Sequence, residues 1–122
     1  AYFVEQTGID ALAVAIGTMH GAYPAGMTPV LNIGLVEKLR ERVPVPLVMH
    51  GGSGTPEDKF RAAIHAGISK VNIATDLVTA TAKKLAEIQQ QPIRYHVEGT
   101  FYLGRAACQE AVEEKIRLFA VL

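Results

Sequence analysis

Two histidines occupy equivalent places in the chain, each close behind a short apolar segment and each followed by glycine. His20 comes after the apolar residues 12–16 and precedes Gly21, and His50 comes after residues 47–49 and precedes Gly51. Imidazole is the commonest metal ligand, and catalytic zinc usually takes three protein ligands. The pair could therefore bind one zinc ion if a third ligand joined it, although each histidine alone is equally well explained as a polar loop residue. His65, within a helical pattern, and His96, in a stretch without an assigned element, are weaker candidates.

A glycine-rich segment follows His50 and indicates an anion site. Gly51, Gly52, Ser53 and Gly54 come just before a helix opened by Pro56. Backbone N–H groups without side-chain obstruction, next to a helix N-terminus, favour phosphate. The segment from Asn72 to Asp76 after the next apolar run could contribute in the same way. The alternative is that these glycines only make a tight turn between strand and helix.

The elements that position these residues alternate along the chain. Apolar runs predict strands at residues 12–16 and 46–50 and from about residue 70. Helical spacing predicts helices at residues 32–43, from Pro56, at 76–91 and at about 103–121, whereas residues 92–100 fit no element. Short buried strands separated by single helices are typical of a parallel sheet, so we expect an α/β fold with the functional groups at the carboxyl ends of the strands.

Composition limits the function classes. The 122 residues carry 12 basic and 12 acidic side chains and no basic run, which argues against general nucleic-acid binding. No apolar stretch reaches the roughly 20 residues that a membrane span needs. The single cysteine, Cys108, excludes an internal disulfide, so we expect one domain in the reducing cytoplasm.

Three motifs together carry a family resemblance. The segments LAVAIGTMHGAY (12–23), PLVMHGGSG (46–54) and KVNIATD (70–76) resemble those of the class II, zinc-dependent ketose-bisphosphate aldolases, of the fructose- or tagatose-bisphosphate type. The resemblance extends over nearly the whole chain. It implies that residues 1–122 are the C-terminal portion, with strands six to eight, of a single (β/α)8 TIM-barrel domain. Since the chain starts with Ala1 and has no targeting leader, we expect the N-terminal portion to precede it.

The resemblance also implies roles for particular residues. His20 and His50 match two of three zinc-binding histidines, while the third histidine and the proton-transferring aspartate are expected before Ala1. The positions that hold the substrate phosphate are matched by Gly21, Gly51, Gly52, Ser53, Asn72, Ile73, Ala74 and Thr75. Carbonyl groups near Gly21, Gly51 and Ser53 are similar to those of a monovalent cation site for Na⁺ or K⁺. The segment from Pro24 to Met27 departs from the lysine-glycine stretch of many relatives, so the loop conformation there is open.

The function implied by the resemblance is the zinc-dependent cleavage of a ketose 1,6-bisphosphate, fructose or tagatose, to dihydroxyacetone phosphate and glyceraldehyde 3-phosphate. One alternative is an inactive fragment that binds sugar phosphate or assembles with other chains. Another is a metal-free phosphate-binding barrel enzyme, which would leave the paired histidines unexplained. We expect a homo-oligomer, because a three-stranded sheet has two unpaired edges.

Overall fold

The computed structural model describes residues 1–21, 23–92 and 96–120, which form two compact units. The first unit spans Ala1–Ile73 and the second starts at Ala74. Five helices and three strands follow in the order α1 (Tyr2–Thr7), β1 (Leu12–Ala13), α2 (Ile33–Arg42), β2 (Leu47–Met49), α3 (Glu57–Ala66), β3 (Ile68–Val71), α4 (Thr75–Gln89) and α5 (Val97–Phe119).

The three strands form one parallel sheet with the order β1-β2-β3. Each strand is followed by a helix, so the predicted α/β class is confirmed. The pairing of β2 with β3 is irregular: Leu47 faces Ile68, but Val48 faces Lys70. Ser69 is thus an extra residue on β3, of the kind found in a β-bulge.

The core of the first unit lies between the sheet and its helices. β2 is buried along its whole length, as expected of a central strand in a covered parallel sheet. The largest fully buried side chains come from both layers, and they are Phe60, Ile16, Leu47, Met49 and Val36. Burial of each such side chain contributes about 1.5–3 kcal/mol, which holds the strand ends in place.

Local sequence determines where the first helices begin and end. Gly8 ends α1 with φ 63° and ψ 27°, and its N–H group donates to the Val4 carbonyl. This left-handed conformation is typical of a glycine at the end of a helix. Asn32 starts α2, since its side-chain oxygen accepts from the Leu35 N–H at 3.0 Å. Pro56 precedes α3 by one residue rather than occupying its first turn.

Two strand boundaries differ from the prediction. β1 is only two residues long, although the Val14 N–H still donates to the Val48 carbonyl at 3.1 Å. Beyond Val14 the chain leaves the sheet, and the apolar side chain of Ile16 is buried in the core instead. β3 begins at Ile68, directly after Gly67, rather than near Lys70. The bulge at Ser69 lets the strand start early and still stay paired.

The second unit contains α4 and α5, and here the predicted start of α5 is wrong. The helix begins at Val97 instead of about residue 103, so Glu98, Gly99 and Thr100 belong to its first turn. Residues 93–95 of the stretch without an assigned element lie outside the described residues. Ile116 near the end of this helix is 60% exposed, while Leu118 is buried.

An ion pair and a close approach at a glycine connect the two helices of the second unit. The Lys115 ammonium lies 3.0 Å from the Asp76 carboxylate, and both side chains are about three-quarters buried. Gly104 is buried on α5, where an added Cβ would lie 3.1 Å from the Leu85 side chain of α4. None of the helices within the described parts of the chain is long and apolar enough to cross a membrane.

Candidate active site

The two predicted histidine ligands lie side by side in the first unit. His20 belongs to the loop after β1 and His50 directly follows β2, and their ring centroids are 5.6 Å apart with the planes tilted by 59°. Two imidazoles on one tetrahedral zinc ion have ring centroids about 5 Å apart, since each nitrogen lies about 2.0–2.1 Å from the metal. The pair therefore fits two ligand positions on a shared ion.

A third ligand for such an ion is not found in the described parts of the chain. There, no three His, Cys, Asp or Glu side chains come close enough together to hold a metal. His65 lies exposed in the last turn of α3, and His96 precedes α5 in the second unit. His20 and His50 thus fit as two neutral ligands of a metal site, and the third ligand would have to come from outside the described residues.

Asn72 joins the His50 side of the pair. Its amide nitrogen lies 3.2 Å from Nδ1 and 3.1 Å from Nε2 of His50, about equally close to both. The Lys70 ammonium donates to the amide oxygen of Asn72. Because an ammonium can only donate, it orients the amide oxygen towards Lys70 and the amide N–H groups towards the ring. A polar chain of three residues therefore runs from β3 to His50.

The loops that carry the two histidines are in direct contact. The Thr18 hydroxyl donates to the carbonyl of His50 at 2.6 Å. Gly51 has φ 66°, and a Cβ there would lie 2.5 Å from the Met19 carbonyl oxygen. Glycine is required at this position on both counts, because other residues seldom adopt this backbone conformation and the Met19 backbone fills the space.

The glycine-rich segment after His50 is equally confined. The Gly52 N–H donates to the Asn72 carbonyl at 3.2 Å, and a Cβ on Gly52 would lie 2.8 Å from Val71. Ser53 is buried. The segment thus brings its backbone against the end of β3 and leads into the N-terminus of α3, where Glu57 and Asp58 are the acidic residues of the first turn.

Thr55 adds a buried hydroxyl to this segment. Thr55 is only 6% exposed, and its Oγ1 has no hydrogen-bond partner among the residues that the structure describes. A buried polar atom without a partner costs about 1–3 kcal/mol, so a group supplied by a ligand would relieve a real penalty. This hydroxyl is an observation in favour of an anion near the segment.

The structure places the remaining predicted site residues at the same strand ends or at the start of the second unit. Gly21 is exposed next to His20 with φ 88°, and Ile73 follows Asn72. Ala74 and Thr75 are the N-cap and the first residue of α4. The metal, phosphate and cation roles of all these residues stay predictions.

An open pocket of about 290 Å³ adjoins the histidines. Its lining combines small side chains of the first strand region with polar groups of the two loops, namely Ala13, Val14, Ala15, Thr18, His20 and His50. Small side chains leave room beside the imidazoles for a bound molecule of modest size.

Sequence reasoning missed three residues of this region: Thr18, Lys70 and Thr55. The role of Thr18 depends on the conformation of two loops, and that of Thr55 on its burial, so no local pattern indicates either. The one available sequence signal was the two-residue spacing of Lys70 and Asn72, which places both on the same side of a strand.

Comparison with known proteins agrees with this geometry. The family model described as fructose-bisphosphate aldolase class-II matches residues 1–121. YdjI of Escherichia coli K12, described as an uncharacterized protein, is 45% identical over 119 residues, which are 98% of this chain and 41% of YdjI. The chain thus spans about two-fifths of that relative, in its C-terminal portion.

Solved structures show the same relationship. The crystal structure of the YdjI aldolase from Escherichia coli K12 has a TM-score of 0.83 and 40% identity over 98% of this chain and 42% of its own. A fructose-bisphosphate aldolase from Campylobacter jejuni shares the fold with a TM-score of 0.74 at 21% identity, over 89% of this chain and 39% of its own. The strand-end histidines, the glycine-rich segment and the match over nearly all residues lead to one assignment: the chain belongs to the class-II fructose-bisphosphate aldolase family.

Proposed function

We propose that this chain supplies two zinc ligands and the phosphate-binding loop of an aldolase that cleaves a ketose 1,6-bisphosphate. The products are dihydroxyacetone phosphate and glyceraldehyde 3-phosphate, and the substrate is fructose or tagatose bisphosphate. The observation that carries the proposal is the placement of the His20 and His50 rings 5.6 Å apart beside a confined glycine segment. Such a reaction belongs to carbohydrate metabolism, including glycolysis.

The ligand roles follow from the two rings. His20 and His50 would hold the ion through neutral imidazole nitrogens, which leave its charge intact. Bound zinc supplies Lewis-acid stabilisation of the negative charge that develops on the substrate oxygens as the carbon–carbon bond breaks. Asn72 contacts the His50 ring through its amide nitrogen. The second nitrogen of a neutral, zinc-bound imidazole carries a hydrogen and donates, so Asn72 would orient the ring in the zinc-bound state by presenting its amide oxygen instead.

The glycine segment would bind the part of the substrate that does not react. The Gly52 N–H already donates to the Asn72 carbonyl, so other backbone N–H groups around Gly51 and Ser53 would bind the phosphate. The buried Thr55 hydroxyl has no partner among the described residues, and a phosphate oxygen could provide one. Binding of the phosphate end would orient the substrate carbonyl towards the metal. This would lower the entropic cost of reaching the transition state. Carbonyl groups near Gly21, Gly51 and Ser53 would bind the Na⁺ or K⁺ ion.

The second candidate function is a chain that binds sugar phosphate or assembles with other chains but does not turn over by itself. The observation in its favour is that two histidines, without a third ligand in the described residues, make an incomplete metal site. A cytoplasmic homo-oligomer agrees with both candidates, because β1 and β3 each pair only with β2 among the described strands.

Zinc titration by calorimetry tests the ligand assignment on the chain itself. His20→Ala and His50→Ala should each abolish the measurable zinc binding, and His65→Ala should leave it unchanged, because His65 is exposed on α3 and away from the pair. If both the His20→Ala and the His50→Ala variant kept the zinc affinity of the original chain, the assignment would be contradicted.

A chimera tests the activity. The C-terminal portion of YdjI that matches this chain is replaced by this chain, and aldol cleavage of fructose and tagatose 1,6-bisphosphate is followed through dihydroxyacetone phosphate formation. Turnover that requires zinc, His20 and His50 would support the aldolase. A folded, zinc-loaded chimera that binds the bisphosphate without cleaving it would favour the second candidate.

A further inference from the structure

We propose that Thr18 and Tyr23 are positioning residues that hold His20 beside His50 before any ion binds. The proposal rests on the proposed function only in taking the two histidines as ligands. The pairing itself is a property of the metal-free chain and can be tested without zinc.

Thr18 connects the two histidine loops directly. Its hydroxyl donates to the backbone carbonyl of His50 at 2.6 Å, across 32 positions of sequence, and the bond is partly buried. Thr18 stands two residues before His20, so the bond joins the loop of one histidine to the backbone of the other. Partly buried hydrogen bonds resist exchange with water better than exposed ones do.

Tyr23 restrains the other side of the same loop. Its hydroxyl accepts from the backbone N–H of Met19 at 3.0 Å, and its ring lies where a Cβ on Gly54 would be 3.2 Å away. The side chain therefore spans from the residue before His20 to the glycine segment after His50.

Met19 links the two contacts. Its N–H group is held by Tyr23, and its carbonyl oxygen approaches Gly51 so closely that only glycine fits there. The backbone directly before His20 is thus fixed by three independent contacts, to Tyr23, to Gly51 and, through Thr18, to His50. Binding is tighter when ligands are held in place beforehand, because less conformational entropy is lost on association.

The test uses the 122-residue chain and variants that each remove one hydroxyl. Thr18→Val and Tyr23→Phe remove the bonds, Thr18→Ser keeps a donor in the same place, and Thr7→Val is a control that removes a hydroxyl bond within α1. Nuclear Overhauser contacts between the two imidazole rings are measured without metal, and zinc affinity is then measured by calorimetry.

We expect Thr18→Val to lose the contacts between the rings and to weaken zinc binding about tenfold. Tyr23→Phe should weaken it about threefold, whereas Thr18→Ser and Thr7→Val should stay within about twofold of the original chain. Recovery with serine separates the hydroxyl's role from a general loss of packing. If Thr18→Val does not fold, Tyr23→Phe decides the question.

The proposal is overturned if the folded Thr18→Val and Tyr23→Phe variants both keep the contacts between the rings and the zinc affinity of the original chain. A chain that binds no zinc, while Thr18→Val still separates the rings, would refute the metal assignment and support the positioning role. The two proposals can therefore fail separately.

Discussion

The two units of the chain differ in whether their backbones adopt positive φ angles. All seven described residues with positive φ are glycines, and all of them lie in the first unit, at positions 8, 17, 21, 26, 51, 54 and 67. The second unit, from Ala74, consists of two long helices in which the described glycines have ordinary backbone angles. Special backbone conformation is therefore confined to the unit that carries the histidines and the glycine segment.

This difference shows where backbone conformation constrains the sequence. In the first unit, loops at strand ends must bring backbone groups close together, and only glycine permits the approach of Met19 to Gly51. In the second unit, the helices need a matching pair of faces, which many sequences can supply. Substitutions should therefore cost more in the loops than at equally buried positions of the helices.

Gly51→Ala should give the largest effect. The new Cβ would meet the Met19 carbonyl at 2.5 Å with φ at 66°, so we expect the free energy of unfolding to fall by about 3 kcal/mol, from backbone strain and overpacking together. Gly26→Ala is the control, because φ is 81° there but no atom lies within 4 Å, and it should cost about 1 kcal/mol. If urea denaturation gave the same loss of unfolding free energy for Gly51→Ala and Gly26→Ala, the close approach of Met19 to Gly51 would not contribute to the cost.

Lys115→Met should give the largest polar effect in the second unit. The ammonium and the Asp76 carboxylate are 3.0 Å apart and only 20% and 26% exposed, so removal leaves a partly buried charge without this partner. We expect a loss of about 1.5 kcal/mol in unfolding free energy. Lys84→Met, which breaks an exposed pair with Glu87, should cost less than about 0.5 kcal/mol. If Lys84→Met lowered the free energy of unfolding more than Lys115→Met did, burial of the ion pair would not determine its contribution.

Two threonine-to-valine substitutions in the first unit should change stability in opposite directions. Thr55→Val removes a buried hydroxyl without a partner and should stabilise the chain by about 1 kcal/mol, while weakening phosphate binding. Thr18→Val removes a paired hydroxyl and should destabilise it by about 1 kcal/mol. Thermal unfolding with and without inorganic phosphate measures both. A destabilised Thr55→Val variant would show that the hydroxyl has a partner in solution.

Gly104→Ala should have the smallest effect. The added Cβ lies 3.1 Å from the end of the flexible Leu85 side chain, which can move by a few tenths of an ångström. This cost opposes the gain in helix propensity, so we expect a net change within about 0.5 kcal/mol in chemical denaturation. A loss comparable to that of Gly51→Ala would remove the contrast between the units.

The parts of the fold that follow from local patterns were predictable from the sequence. Apolar runs located β1, β2 and β3, and Gly8 marked the end of α1. The start of α5 was missed because Glu98, Gly99 and Thr100 resemble a loop, whereas the helix runs through them and the Thr100 N–H donates to the His96 carbonyl at 3.0 Å.

The candidate site was predictable only in part. Placing His20 and His50 together needs just the rule that parallel strands end at the same edge of a sheet. The contact of Thr18 with the His50 carbonyl depends on loop conformation and that of Asn72 with the His50 ring on strand register, which no local pattern specifies. The ion pair of Lys115 with Asp76 likewise depends on the packing of α5 on α4.

The additional residue in β3 also affects how insertions and deletions can be tolerated. Val48 faces Lys70 and Met49 faces Val71, which brings Asn72 into phase with His50. Because Ser69 is the residue without a partner on β2, its deletion would leave these pairs regular and Asn72 still in phase with His50. Deletion of Val71, which does pair with β2, would instead shift Asn72 by one position, and because side chains alternate between the two surfaces of a sheet, its amide would turn away from the imidazole.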